Sequence, residues 1–170
     1  DIGVVKKSVF KKPKILTILC LDDDPVFLSL IGNNLRRWSS TVSDFKFNLL
    51  FTNSFTNFFK EFYSLIENNI VPDYFVMDQN ISPYIKGIDC CQLVNEFYKI
   101  YLKNDYLKHD FSFFFFTEES NMTNYKIMKN DKNLVLKENV FGKLQITDMV
   151  LKLDERLKKM RKSGNEDMRK

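Results

Sequence analysis

The stretch ILTILCLDDDP, residues 15–25, decides the fold. Its first part, from Ile15 to Leu21, is a short continuous apolar run, which is typical of a strand buried on both faces of a parallel sheet. Three aspartates follow at once, and Asp24 with Pro25 supplies the capping residue and the first-turn proline that often begin a helix. The stretch therefore predicts a strand that leads directly into a helix, with carboxylates at the junction.

The same alternation of strand and helix continues along the chain. Further strands are predicted at Phe45–Phe51, Tyr74–Met77, Phe111–Phe116 and Asn133–Leu136. Helices are predicted after Asp24 and Ser54, then at Ile88–Leu102, Asn121–Lys129 and Gly142–Arg161. The apolar face of the first helix is predicted to consist of Val26, Leu28, Leu30, Ile31, Leu35 and Trp38.

Strands that alternate with helices favour a parallel sheet covered by helices on both faces. The predicted fold class is therefore α/β, with a five-stranded parallel sheet that is doubly wound as (βα)5. The expected strand order is the flavodoxin-like 2-1-3-4-5, in which ligands bind beyond the carboxyl ends of the strands.

Length and charge narrow the possible functions. The 170 residues predict one domain, which we expect to span residues 14–162, between a basic extension at 1–13 and a polar basic tail at 163–170. The formal net charge is only +4, and the lysines and arginines crowd the two ends. Such runs indicate solvated ends of a domain rather than a nucleic-acid site, so no direct binding to nucleic acid is expected.

The numbers and spacing of cysteine and histidine argue against a disulfide-stabilised protein and against a zinc-binding protein. The odd set of Cys20, Cys90 and Cys91 has no framework spacing, which disfavours a disulfide scaffold. A single histidine, His109, makes a zinc site improbable. From the sequence we also expect no signal peptide, and it contains no apolar run long enough to span a bilayer. We therefore expect a cytoplasmic protein with no membrane span.

Polar residues follow the predicted strands. Asp22 and Asp23 end the first strand, Asp78 ends the third, Thr117 ends the fourth and Lys137 ends the fifth. Carboxylates at close range repel each other by about 4 kcal/mol per pair at 4 Å and an effective dielectric of about 20. Mg²⁺ takes oxygen ligands and bridges to phosphate, while a lysine and a hydroxyl suit phosphoryl oxygens. The set predicts a Mg²⁺-dependent site for phosphoryl transfer to a carboxylate.

Four segments carry a resemblance to a known family. They are ILTILCLDDDP, DYFVMDQNISPYIKG, FFFFTEES and LVLK, which resemble, in this order and at strand ends, the CheY-like receiver domains of response regulators. The resemblance covers roughly residues 14–160. Its strongest local part is Asp78 followed by Pro83 and Gly87, because an Asp, a Pro and a Gly follow one another in the phosphoacceptor loop of that family.

The resemblance implies a role for each matching residue. Asp78 is expected to be the phosphoacceptor. Asp23 is expected to bind Mg²⁺ directly, Asp22 directly or through water, and Asn80 through its backbone carbonyl. Together with Asp78, these residues form the expected metal site.

Two further roles concern the phosphoryl group itself. Thr117 is expected to be the switch hydroxyl, and Lys137 to bind the phosphoryl group or the unmodified Asp78. Asn80 and Glu119 occupy positions that influence the rate of phosphoryl hydrolysis in the family.

The resemblance also implies partners. The phosphodonor is expected to be a histidine kinase or a histidine phosphotransfer protein of a two-component or phosphorelay system. A downstream protein partner is expected on the face formed by the fourth and fifth strands and the helices after them. The domain is expected to assist only its own phosphotransfer and dephosphorylation, and so not to be an enzyme for another substrate. With 33 residues after Lys137, we expect no output domain in this chain, and its start without Met is compatible with a piece of a hybrid kinase.

Three positions depart from the family pattern and leave an alternative open. Glu138 follows Lys137 where the family usually has Pro, Glu118 follows Thr117 where a small residue is usual, and Leu134 stands where a Tyr or Phe usually lies. These departures favour a pseudo-receiver, which has the same fold and acts as a phosphorylation-independent interaction module. A third hypothesis is a haloacid-dehalogenase-like hydrolase, because Asp22 and Asp24 form the DxD pattern of that family.

Overall fold

The computed structural model describes residues 14–118 and 137–169. The strands are β1 (Lys14–Leu21), β2 (Phe45–Thr52), β3 (Tyr74–Asp78), β4 (Ser112–Thr117) and β5 (Val140–Gly142). The α-helices are α1 (Pro25–Thr41), α2 (Phe55–Glu67), α3 (Gly87–Leu102) and α4 (Ile146–Arg169). Two short 3-10 helices, Lys103–Asp105 and Lys137–Asn139, complete the described part.

The five strands form one parallel sheet in the order β2-β1-β3-β4-β5. The predicted fold class, a doubly wound α/β sheet of flavodoxin-like order, is thereby confirmed. In this order, β1 and β3 are neighbours in the sheet although β2 lies between them in the chain. The connection after β1 leads toward one edge of the sheet and the connection after β3 leads toward the other, so the winding direction changes between these two strands. A crevice at the carboxyl ends of β1 and β3 is the usual ligand position in such sheets.

The sheet is covered by two apolar cores, one on each face. Helices α2 and α3 cover one face, and α1 and α4 cover the other. Strand β4 shows how a buried strand serves both, since Phe113 and Phe115 pack into the first core and Phe114 and Phe116 into the second. This alternation follows from the two-residue period of a strand.

The predicted starts of the first two helices are also observed. The Asp24 carboxylate accepts a hydrogen bond from the Val26 N–H (3.0 Å), and the Ser54 hydroxyl accepts one from the Asn57 N–H (3.1 Å). The apolar face of α1 differs from the prediction, because Val26 and Leu30 are exposed and Phe27 is buried instead. The helix therefore turns Phe27 toward the sheet, near the carboxyl end of β1.

The end of the chain departs from the prediction. The fifth strand of the sheet is β5, Val140–Gly142, whereas the predicted strand Asn133–Leu136 lies outside the described residues, as does the predicted helix Asn121–Lys129. Helix α4 begins four residues later than predicted and continues to Arg169, through most of the predicted tail. The lysine after β5 is consequently Lys143, while Lys137 precedes this strand. No helix in the described part of the chain combines the length and apolar character needed to cross a membrane.

Candidate functional site

Two buried aspartates and one lysine meet at the carboxyl edge of the sheet. Asp22 follows β1 and Asp78 ends β3, and these neighbouring strands pair up to Leu21 and Met77. The Lys143 Nζ lies 3.0 Å from Asp22 Oδ2 and 3.3 Å from Asp78 Oδ1. The side chains of Asp22 and Asp78 are only 1% and 7% exposed. The ammonium thus bridges two carboxylates that water barely reaches.

A third carboxylate adjoins this pair. Asp22, Asp23 and Asp78 each offer one oxygen, and these three atoms lie within 4.8 Å of one another. Asp23 is exposed, so this group opens to solvent on one side. An all-oxygen donor set that is partly open fits a hard divalent cation, and Mg²⁺ commonly uses one or two carboxylates and keeps several waters.

Burial and mutual repulsion control the charges of the site. Burial, and then the negative charge of Asp22, raises the pKa of Asp78 to about 6, against the opposing effect of Lys143. Burial also raises the pKa of Asp22, although the Asp24 N–H and Lys143 oppose it. Burial alone would lower the pKa of Lys143, but its hydrogen bond to Asp22 and the charges of both aspartates raise it. Lys143 therefore stays charged, and its single positive charge does not fully neutralise the negative charge of the carboxylates around it.

Local backbone hydrogen bonds orient both carboxylates. Asp22 Oδ1 accepts a hydrogen bond from the Asp24 N–H at 2.9 Å, which leaves Oδ2 for Lys143. Asp78 Oδ1 accepts one from the Asn80 N–H at 3.2 Å. Each aspartate thus receives an N–H from two residues further along the chain, a turn geometry that Asp readily forms. The side chains are fixed before any ligand arrives.

The loop after β3 is pinned at both ends. The Gln79 N–H donates to the Phe116 carbonyl at 2.9 Å, and the Gly87 N–H donates to the Gln79 carbonyl at 2.9 Å. Lys86 Nζ donates to the Asn80 side-chain oxygen at 3.0 Å. The loop therefore folds back on itself beside Asp78, with Lys86 as a second cation at its rim.

Thr117 ends β4 next to the site. Its Cα partner in the sheet is Gly142, which immediately precedes Lys143. The residue before it, Phe116, pairs with Asp78 on the other side. Thr117 is buried, whereas the next residue, Glu118, is exposed. Thr117 thus lies on the strand between β3, which ends at Asp78, and β5, which Lys143 follows. Glu118 is not among the buried carboxylates of the site.

The predicted site residues are therefore placed as follows. Asp22, Asp23 and Asp78 come together, Asn80 follows in the pinned loop, and Thr117 lies on the neighbouring strand. The expected position of Lys137 after the fifth strand is wrong, since its backbone forms the 3-10 helix before that strand. Glu119 and Leu134 lie outside the described residues.

Sequence reasoning missed Lys143. The signal was the short segment VFGK, residues 140–143, in which an apolar pair and a glycine precede a lysine. The segment LVLK, residues 134–137, has the longer apolar run and so matched a buried strand better. Because β5 lies at the edge of the sheet and has three residues, it buries few apolar side chains, and its sequence pattern is correspondingly weak.

Comparisons with known proteins bear on the fold only. No family model matches the chain, and no curated protein matches it. Among solved structures, the chain is similar to one described as the yeast Spc42 trimeric coiled coil, amino acids 181–211, fused to another structure. The identity is 14%, the alignment covers 90% of this chain and 94% of that chain, and the TM-score is 0.52. At this identity the likeness shows the fold alone.

Proposed function

We propose that this chain is a receiver domain of a two-component or phosphorelay system, which accepts a phosphoryl group on Asp78. The observation that carries the proposal is the meeting of Asp22, Asp78 and Lys143 at the point where the sheet changes winding direction. Phosphoryl transfer depends mainly on positioning and charge neutralisation. This site supplies both, with a held nucleophile, a fixed lysine and an oxygen donor set.

The chemistry assigns one role to each side chain. An Asp78 carboxylate oxygen forms the new bond to phosphorus while the bond from phosphorus to the donor atom breaks and its electrons leave with the donor. Lys143 already contacts Asp78 and offers a positive charge to the incoming phosphoryl oxygens. Thr117, on the adjacent strand, carries the hydroxyl that would turn toward them.

The metal site consists of Asp22, Asp23 and Asp78, with the Asn80 carbonyl as the further expected ligand. Bound Mg²⁺ would supply positive charge for the phosphoryl oxygens and for the carboxylates that one lysine leaves unneutralised. It would also favour the ionised form of Asp78, whose pKa burial raises to about 6. A nucleophilic carboxylate has to be ionised, so this effect supports a metal-dependent reaction.

The position of Lys143 after β5 changes which residues differ from the pattern of the receiver family. Glu138 does not follow the lysine of the site, and Glu118 is exposed. Leu144 follows Lys143 where the family usually has Pro, and Val140 lies two residues before the end of β5 where an aromatic is usual. Three departures from the receiver pattern therefore remain: Leu144 and Val140 around β5, and Glu118, which still follows Thr117 although its side chain is exposed.

The alternative function is a pseudo-receiver that acts as a phosphorylation-independent interaction module. The observation that favours it is that three departures from the receiver pattern remain when Lys143 is taken as the lysine of the site. Weak Mg²⁺ binding would support this alternative. The hydrolase hypothesis loses its main support, because the Asp24 carboxylate is exposed and caps α1 through Val26.

The phosphodonor in this proposal is a histidine kinase or histidine phosphotransfer protein, and the reader of the phosphorylated state is a second protein. Cytoplasmic location is part of the same proposal. It is supported by Cys20, Cys90 and Cys91, which are free and buried, as expected in a reducing compartment.

The proposal is tested by intact mass measurement after incubation with Mg²⁺ and acetyl phosphate. We expect a single phosphoryl adduct that is absent from Asp78→Asn and from samples with a chelator. A matched control is Asp73→Asn, because Asp73 is equally buried at the opposite end of β3 and should leave the adduct intact. An unmodified wild-type mass together with no Mg²⁺ binding would replace the receiver with the pseudo-receiver.

A further inference from the structure

The Lys143 ammonium contacts a third group besides the two aspartates. Its Nζ lies 4.1 Å from the centroid of the Phe27 ring. This distance is within the range of a cation–π interaction, in which the negative face of the ring attracts the cation. Phe27 is 7% exposed and the Lys143 side chain is 18% exposed, so water screens this contact little.

The ammonium has three partners of different kinds. A protonated lysine has three N–H donors and no acceptor. It donates to Asp22 Oδ2 at 3.0 Å, lies within ion-pair distance of Asp78 Oδ1 at 3.3 Å, and lies at cation–π distance from the Phe27 ring. A ring face attracts the cation but cannot take its proton, so it holds the ammonium while leaving its charge available to the carboxylates.

The ring is itself held by strands of the site. Phe27 packs edge-on against Phe116, with centroids 5.1 Å apart and an interplanar angle of 79°. Phe116 is the sheet partner of Asp78 on one side and of Phe141 on the other. The ring position is therefore fixed by the strand that also carries Thr117, and through it relative to Asp78.

We propose that Phe27 is a positioning residue of this site, whose ring face holds the Lys143 ammonium at the place from which it reaches Asp78. Lysine has four side-chain torsions and loses much freedom when it is fixed. The ring restricts this freedom through a third contact besides the two carboxylates. The consequence for phosphoryl binding rests on the proposed function, whereas the placement of Lys143 does not.

If Phe27 served only to fill the core, its substitution would be expected to have different effects from those of a positioning residue. Phe27 belongs to the core beneath α1 and α4, and any shortening of a buried side chain there costs stability. Phe141 is a matched control, since it is 8% exposed, belongs to the same core and also packs on Phe116. A structural role predicts similar effects for Phe27→Leu and Phe141→Leu on every property of the site.

The first test reads the lysine directly by NMR, with the ε-methylene groups of lysine labelled with ¹³C. Protons above a ring face are shifted upfield, so the Lys143 signal should be displaced from the other lysines in the wild type. Lys143→Met assigns the signal by its loss. We expect the displacement to disappear in Phe27→Leu, to persist in Phe27→Tyr and to be retained in Phe141→Leu.

The second test measures binding of beryllium fluoride, a phosphoryl mimic, in the presence of Mg²⁺ by ¹⁹F NMR. We expect Phe27→Leu to weaken binding roughly three- to tenfold, as befits loss of one partly desolvated cation–π contact. Phe27→Tyr, which keeps the aromatic ring, should bind beryllium fluoride as the wild type does. Phe141→Leu should also leave this binding unchanged.

The outcomes separate the two proposals. An undisplaced Lys143 signal in the wild type overturns the positioning role, and this measurement needs no core variant to fold. Equal effects of Phe27→Leu and Phe141→Leu on the signal overturn it as well. A displaced signal that depends on Phe27, together with no beryllium fluoride binding in any variant, supports the positioning role and counts against the receiver function.

Discussion

Gly87 and Asp78 are in direct backbone contact: a Cβ placed on Gly87 would overlap the Asp78 carbonyl oxygen. The same Cβ would lie 3.0 Å from a ring carbon of Phe115. Neither neighbour can easily retreat, because Asp78 is in a central strand and Phe115 is fully buried. The start of α3 can approach β3 this closely only because residue 87 has no side chain.

The first prediction concerns this contact. Gly87→Ala should lower the free energy of unfolding by about 1–3 kcal/mol, the usual cost of overpacking, and should weaken Mg²⁺ binding because it displaces Asp78. Gly142→Ala is the control, since its Cβ would meet only the Gln145 side chain at 3.4 Å. Urea denaturation measures the first effect. Equal stability of the two variants would show that α3 can shift without strain.

The second prediction separates Lys143 from Lys137. Lys143→Met should cost about 1–3 kcal/mol of stability in metal-free buffer, because Asp22 and Asp78 lose their shared cation and stay buried. It should also abolish or strongly reduce the phosphoryl adduct. Lys137→Met should do neither, since Lys137 precedes β5 rather than following it. Urea denaturation and intact mass measure the two effects, and a reversed ranking would restore Lys137 as the site lysine.

The third prediction is a pH dependence of stability without metal. The pKa of Asp78 is about 6 in the folded chain against its usual 3.8, so between these values the folded state keeps a proton that the unfolded state has released. The stability from this group is therefore fully present below pH 3.8 and is lost as the pH rises through 6. We expect the wild type to lose about 1–3 kcal/mol between about pH 4 and pH 7 through this group.

Asp78→Asn is the matched variant for this measurement, because an amide does not titrate. Its stability in chelator should fall less than that of the wild type over the same pH range, and it should be the more stable protein at neutral pH. Parallel pH profiles of the two proteins, measured by urea denaturation, would contradict the prediction.

The fourth prediction distinguishes two adjacent aspartates. Asp23→Asn should weaken Mg²⁺ affinity roughly tenfold or more, because Asp23 is one of the three grouped carboxylates. Asp24→Asn should leave the affinity nearly unchanged, since Asp24 caps α1 and Asn caps a helix equally well. Isothermal titration calorimetry measures both. Equal loss in the two variants would mean that net negative charge, and not ligand position, attracts the metal.

Much of the site could be predicted because its aspartates follow strongly apolar strands. The run from Ile15 to Leu21 ends at Asp22, and the run from Tyr74 to Met77 ends at Asp78. A parallel sheet brings such ends to one edge, so the two carboxylates could be placed together from the sequence. The strand order was predicted from the alternation of strands with helices.

The other features of the site could not be predicted, because they depend on how the elements pack and not on a pattern in the sequence. Strand β5 has only three residues, too few for a periodic signal, and Lys143 was missed with it. The burial of Phe27 instead of Val26 and Leu30 depends on how α1 is rotated against the sheet. The close approach of Gly87 to Asp78 is likewise a property of two elements in contact and cannot be read from either alone.

The four consecutive phenylalanines of β4 have a consequence for folding fidelity. Identical side chains alternate into both cores, so a slip of this strand by one residue would exchange faces and still leave phenylalanine in three of the four places. The register therefore depends strongly on the polar ends. Ser112 contacts Arg156 and donates its N–H to the Asp73 carbonyl, and the Phe116 carbonyl accepts from Gln79. These end contacts, together with the one core place that would lose its phenylalanine, distinguish the native pairing from a slipped one that would carry Thr117 away from Asp78.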